Sequence, residues 1–155
     1  RFEGTRSMSD RSRGYALRIE VAAPAQRLWR ALTEPALLAQ WYAVDARIDA
    51  RLGGSWRVRL LGDQEREARI DLFQPPQRLR LIYLPSAEMP APDGVIVDDF
   101  ILDERNGVTH LCLLGSGFPR AFEHADYFRR TQEGWTRAFA RLKMSAERQQ
   151  VSQTP

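Results

Sequence analysis

Lysine is almost missing from this chain of 155 residues: all of its 23 basic residues except Lys143 are arginine. Cysteine is as scarce. Cys112 stands alone, so no internal disulfide can form, which suits a reducing compartment; a cytoplasmic location is expected. No run of about 18 apolar residues occurs, so neither a transmembrane helix nor a membrane partner is expected. The N-terminal stretch also lacks the long apolar core of a secretory signal. The only two histidines are His110 and His124, and neither has the three or four partners at defined spacing that a metal site needs. Gly-rich phosphate loops, dinucleotide fingerprints and Ser-nucleophile motifs are absent, so no metal and no organic cofactor is expected.

What is present is an ordinary globular balance, with 43% apolar and 28% charged residues, and a length that fits one domain. The net charge is only +3, and the arginines alternate with apolar residues along the chain. That pattern describes wetted strand and helix faces and not the concentrated stripe of a nucleic-acid binder, so no nucleic-acid partner is expected. Residues 1–13 are polar and without periodicity and read as a disordered leader; Met8 is a candidate start, which would make 1–7 an added segment. The polar stretch 149–155 reads as a disordered tail, leaving 14–148 as the folded domain.

Within that span the apolar period is two for most of the length. Tyr15, Leu17, Ile19 and Val21 alternate with Ala16, Arg18 and Glu20, the mark of a half-buried strand. Pro24 opens a short helix with Leu28, Trp29 and Leu32 on one face, and Pro35 opens a second with Leu37, Leu38 and Trp41. Alternating runs follow around Ala46, Trp56, Ile70, Leu81, Phe100 and Leu111. Gly53-Gly54, Gly62-Asp63, Pro75-Pro76, the Pro-rich stretch 85–94 and Asn106-Gly107 separate them, and Gly115-Ser116-Gly117 closes the last. From about His124 to about Arg148 the period becomes helical, with Phe128, Thr131, Trp135, Phe139 and Leu142 on one face. Six consecutive strands with short turns form an antiparallel meander, and only the long last helix is large enough to cover one of its faces. The predicted fold is α+β: a curved seven-stranded antiparallel sheet with two short helices and one long C-terminal helix.

That order, with the local sequences 24–35 (PAQRLWRALTEP), Leu38, Trp41-Tyr42, 51–56 (RLGGSW), 107–111 (GVTHL) and Gly134-Trp135, resembles the START-like (helix-grip, SRPBCC) superfamily. Within it, the chain is similar to the activator of heat-shock protein 90 ATPase homologue family. The resemblance covers roughly residues 15–143. It implies a cavity between sheet and helix and a range of roles: lipid and hormone carriers, polyketide cyclases and aromatases, and co-chaperone domains.

The expected function is binding of a small apolar, aromatic or lipid-like molecule between the sheet and the last helix, with no chemistry assigned. Candidate ligand contacts are Trp41, Tyr42, Trp56, Tyr83, Phe100, Phe128, Trp135 and Phe139, large side chains of the inward-facing set or the pocket mouth. A plain packed core would select the same residues. Gly134, inside a helix, serves either close packing, the favoured reading, or room beside a ligand. A cyclase-like enzyme would need a buried acid or base, and Asp98 and Tyr83 are the only candidates. Alternation puts Asp98 on the inner face with Phe100, although exposure at the strand end is favoured. Cys112 and His110 share a strand face without a third group to form a nucleophilic site. A third role is protein interaction, co-chaperone-like or regulatory. Phe73, Ile82, Leu84, Val97, Ile101, Cys112 and Leu114 are expected on the outer face, as an apolar surface for a homodimer or another partner.

Overall fold

A computed structural model describes residues 12–86 and 94–152. Alternation becomes sheet at each expected place: β1 (Ser12–Val21), β2 (Asp45–Ile48), β3 (Ser55–Arg59), β4 (Glu65–Gln74), β5 (Arg78–Tyr83), β6 (Val97–Arg105) and β7 (Val108–Pro119). Between β1 and β2 lie α1 (Ala25–Thr33) and α2 (Pro35–Leu38), and the chain ends in α3 (Ala125–Ser152). The sheet order is β1-β7-β6-β5-β4-β3-β2, all antiparallel: a six-stranded meander whose last strand also takes the first strand of the chain. Asn106 and Gly107 both have positive φ, 55° and 81°, as a two-residue hairpin turn between β6 and β7 requires.

The expected boundaries move at both ends. Ser12 and Arg13, assigned to the leader, pair with Pro119 and Phe118 as the start of β1, and α3 continues through residues 149–152, assigned to the tail. β7 likewise runs on past Gly115-Ser116-Gly117, because Phe118 turns into the core beside Tyr15. Most of the Pro-rich stretch, residues 87–93, lies outside the described residues.

One face of the sheet is buried by the helices. Leu28, Trp29 and Leu32 of α1, Leu38 of α2 and Trp135, Ala138, Phe139 and Leu142 of α3 meet Trp56, Ile70, Leu79, Leu81, Phe100, Leu111 and Leu113 from the strands. Each such large side chain contributes about 1.5–3 kcal/mol by leaving water. The C-terminal carbonyls of α1 have no partner within the helix. Indoles supply it: Trp41 Nε1 donates to Ala31 O at 3.0 Å and Trp56 Nε1 to Leu32 O at 3.2 Å. At the other end the Ala25 amide donates to Glu104 Oε1 of β6 at 2.7 Å, placing a carboxylate at the positive end of the helix.

One expected orientation is reversed. Strict alternation places Phe73 on the outer face. The β4–β5 register slips between Ile70 and Leu72, so that Ile70 faces Leu81 while Leu72 faces Arg80. The extra residue is a bulge, which turns the strand after it over. Phe73 therefore joins the core, its ring 5.4 Å from that of Trp29.

Candidate functional site

The space between α3 and the central strands is occupied by aromatic side chains in contact. Trp135 is the hub: Tyr42 stacks on it at 4.1 Å and 7°, and Phe100, Phe139 and Trp41 pack around it at 5.5, 6.1 and 6.3 Å. Trp56 lies 6.2 Å from Tyr42 and 6.4 Å from Tyr83. Phe128 sits apart, against Phe118 and Tyr15, with the Arg13 guanidinium 4.2 Å above its ring. Trp41, Trp56, Tyr83, Phe100 and Phe139, candidate ligand contacts, are thus neighbours in a packed core, and only Tyr42 and Trp135 of the eight line the cleft described below.

Within this core the sheet holds a buried carboxylate. Asp98 is not the solvent-exposed strand end that the sequence favours: it is 1% exposed. Its two oxygens accept hydrogen bonds from the Tyr15 and Tyr83 hydroxyls, each at 2.8 Å. Tyr15, Gly115 and Asp98 stand side by side on β1, β7 and β6. A Cβ on Gly115 would lie 2.3 Å from the Tyr15 ring, so the missing side chain is what lets the phenol lie across β7 and reach Asp98. Burial pushes the Asp98 pKa up, and the Tyr15 and Tyr83 hydroxyls, the charge of Arg66 and the Trp135 indole pull it back only in part. The Trp135 N–H favours the ionised carboxylate but meets no acceptor at hydrogen-bonding geometry. Burial also holds the Tyr15 and Tyr83 phenols neutral, well above their ordinary range.

At the edge of the core a cleft of about 330 Å³ opens between the β3–β4 hairpin and α3. Its apolar walls come from Leu60 and Leu61 of the hairpin and from Tyr42 and Trp135. Thr131, Gly134 and Tyr127 of α3 form the opposite side. Gly134 does not pack closely against a strand, the favoured expectation: an added Cβ there meets nothing within 4 Å. Asp98 and Tyr83 are not among the lining residues.

The residue that sequence reasoning missed is Arg66. It is only 8% exposed, lines the cleft, and donates to the Tyr42 hydroxyl at 3.0 Å and to Thr131 Oγ1 at 3.3 Å. Burial works against its charge, while the nearby oxygens of Tyr42, Tyr127, Tyr83 and Asp98 favour it, so that its pKa is raised. The signal was available: carrying the Ala68–Ile70 alternation two residues back puts Arg66 on the inner face. Arg130, Arg137 and Arg141 of α3 surround the same cleft.

The remaining candidates build no further site, although His110 and Cys112 line one hollow on the outer face. His110 is exposed and pairs with Glu20 at 3.3 Å, Cys112 is half-buried on the outer face, and no three metal-binding side chains cluster among the described residues. Ile82, Val97, Ile101, Cys112 and Leu114 do share the outer face, with the Asp99 carboxylate between them held by Arg78 and Arg80 at 3.1 and 3.3 Å.

The family model described as activator of Hsp90 ATPase homolog 1-like protein matches residues 22–147. Among solved structures, a protein of Mesorhizobium loti is 22% identical, with 92% of this chain and 99% of that one covered and a TM-score of 0.75. The Aha1 dimer of Colwellia psychrerythraea is 18% identical over 87% and 96% of the two chains, with a TM-score of 0.74. CalU16 of Micromonospora echinospora is 22% identical over 92% and 82%, with a TM-score of 0.67. No match was found among curated proteins. No helix of the described residues is long and apolar enough to cross a membrane.

Proposed function

Starting from a chain that belongs to the family of activator of Hsp90 ATPase homolog 1-like proteins, we propose that it is a small-molecule binding module whose site is the cleft between the β3–β4 hairpin and α3. One observation carries this reading. Gly134 weakens its helix by about 1 kcal/mol relative to alanine, no neighbouring backbone uses the space it leaves, and that space is the cleft. The ligand is a small molecule with a flat or apolar body, suited to a cleft walled by Tyr42, Leu60 and Leu61 over the buried Trp135. No reaction is assigned: Asp98 and Tyr83, the candidate acid and base, lie outside the lining, with the carboxylate bonded to two neutral phenols.

The test is a titration of the chain with 2-naphthalenemethanol, followed by calorimetry and by the Gly134 amide resonance. Binding that moves this resonance and is lost in Gly134→Leu supports the cleft. Binding unaffected by Gly134→Leu locates the ligand elsewhere and overturns it.

A second reading concerns assembly. The Colwellia neighbour is described as a dimer, and the outer apolar residues, with Leu84 at 41% and Leu114 at 38% exposure, offer this chain a surface for a second copy. Light scattering with size-exclusion chromatography tests it; a monomer at high concentration sinks it, as does a dimer that survives Leu114→Glu.

A further inference from the structure

Several exposed arginines of this protein are matched to carboxylates, while a buried one is not. Exposed Arg30, Arg51, Arg57, Arg105 and Arg129 each hold an acidic side chain within 3.2 Å. Arg66, the one buried arginine among the described residues, has no carboxylate within ion-pairing distance there. Its two hydrogen bonds go to neutral hydroxyl oxygens, and its buried Nε has no acceptor among the described residues. Arg13 and Arg78 also lack an Nε partner, but half-buried Arg13 lies over the Phe128 ring and the charge of Arg78 is met by Asp99. Asp98 is near enough to feel Arg66 and is bonded instead to the two tyrosines. A buried guanidinium with neutral partners is an unbalanced arrangement, because taking a charge out of water costs several kcal/mol unless a counter-charge is supplied.

The cleft is where such a counter-charge can enter. Arg66 lines it, and Arg137, exposed on α3, borders it without an ion pair among the described residues. Arg130 is tied through Nε to Asp126 at 2.9 Å, and Arg141 donates through Nε to Trp41 O at 3.0 Å; both add positive charge at the cleft. No acidic residue lines the cleft among the described residues. Resting on the proposed cleft as the binding site, we infer that its ligand is an organic anion: a flat or apolar body against Tyr42 and Trp135, carrying a carboxylate or phosphate group to Arg66 with Arg137 at the entrance. A guanidinium fork suits either group, since both offer two oxygens in one plane. Anion binding completes the coordination that Tyr42 and Thr131 provide in part. It would also couple the ligand to Asp98, whose charge Arg66 steadies.

The experiment compares 2-naphthoate, 2-naphthyl phosphate and 2-naphthalenemethanol, which share a ring system and differ in charge, by calorimetry on the full chain at low salt. The Gly134 amide and the Arg66 Nε–H resonance report where each binds. Both anions, or one of them, should bind about tenfold or more tightly than the alcohol and shift the Arg66 Nε–H; which anion wins identifies the group. Arg66→Met should bring the anions down to the level of the alcohol. Arg137→Gln, a surface change that leaves the core intact, should weaken the anions by a few-fold and the alcohol not at all. If alcohol and anions bind alike, or if the preference survives Arg66→Met, the anion inference is overturned while the cleft stands. If none of the three moves the Gly134 amide, the cleft fails and the inference with it.

Discussion

Two buried charges, about which the molecule makes opposite choices, lie within reach of each other's field. Asp98 is closed off: both its oxygens are taken by phenols from β1 and β5, and it does not line the cleft. Arg66 is left open: it faces a cleft, holds two weakly matched hydroxyls and has an unpartnered Nε. Burial alone therefore does not mark function. What separates a structural charge from one available to a ligand is whether its hydrogen-bonding capacity is already filled.

The contrast can be tested by breaking the closed site first. Gly115→Ala should have the largest effect, a loss of about 2–4 kcal/mol in urea unfolding, because the new methyl displaces the Tyr15 ring and strips a donor from a buried carboxylate. A loss below about 1 kcal/mol would mean that the Tyr15 contact matters little. Tyr83→Phe should cost about 1.5–3 kcal/mol at neutral pH, the range for a hydrogen bond to a charged group. The same substitution should raise the Asp98 pKa further, read from its carboxyl carbon resonance.

Asp98 also predicts a pH dependence of definite sign. Its pKa is raised in the folded state, so the native protein holds this proton more tightly than the unfolded chain does. The associated stability is fully present below the unfolded value, near 3.8, and is lost as pH rises through the raised folded value. Unfolding free energies measured across that window should fall with pH in the parent relative to Asp98→Asn, whose corresponding slope vanishes. Identical slopes would remove Asp98 as their cause. The smallest effect on stability is expected at the open site. Arg66→Met trades the lost Tyr42 and Thr131 bonds against relief from burying a charge, for a net change within about 1 kcal/mol of either sign. A large loss there would make Arg66 as structural as Asp98 and erase the distinction.

The fold was legible because its elements are long and periodic. Tyr15 to Val21 alternate cleanly, and the helical stripe through Thr131, Trp135, Phe139 and Leu142 can cover only one sheet face. Phe73 was misplaced because a bulge leaves no mark in a hydrophobic pattern. The face of Asp98 could be read from its neighbour Phe100, but its burial could not, since one phenol that encloses it comes from 83 residues away on a strand brought back beside β7. Arg66 went unseen for the opposite reason. An arginine in a run of alternating charges looks like a wetted face, and nothing local says that Thr131 and Tyr42 will close over it.

The bare α-carbon of Gly115 has a consequence for how this sequence can change over time. Tyr15 reaches Asp98 only across it, so three positions, far apart in the chain and adjacent on neighbouring strands, form one unit of inheritance. A relative with a side chain at the glycine position should have given up the tyrosine, the carboxylate or both, and single exchanges should be rarer than coordinated ones. In an alignment this would appear as three columns varying together, a signature of the closed site that the arginine cleft, free to follow its ligand, has no reason to share.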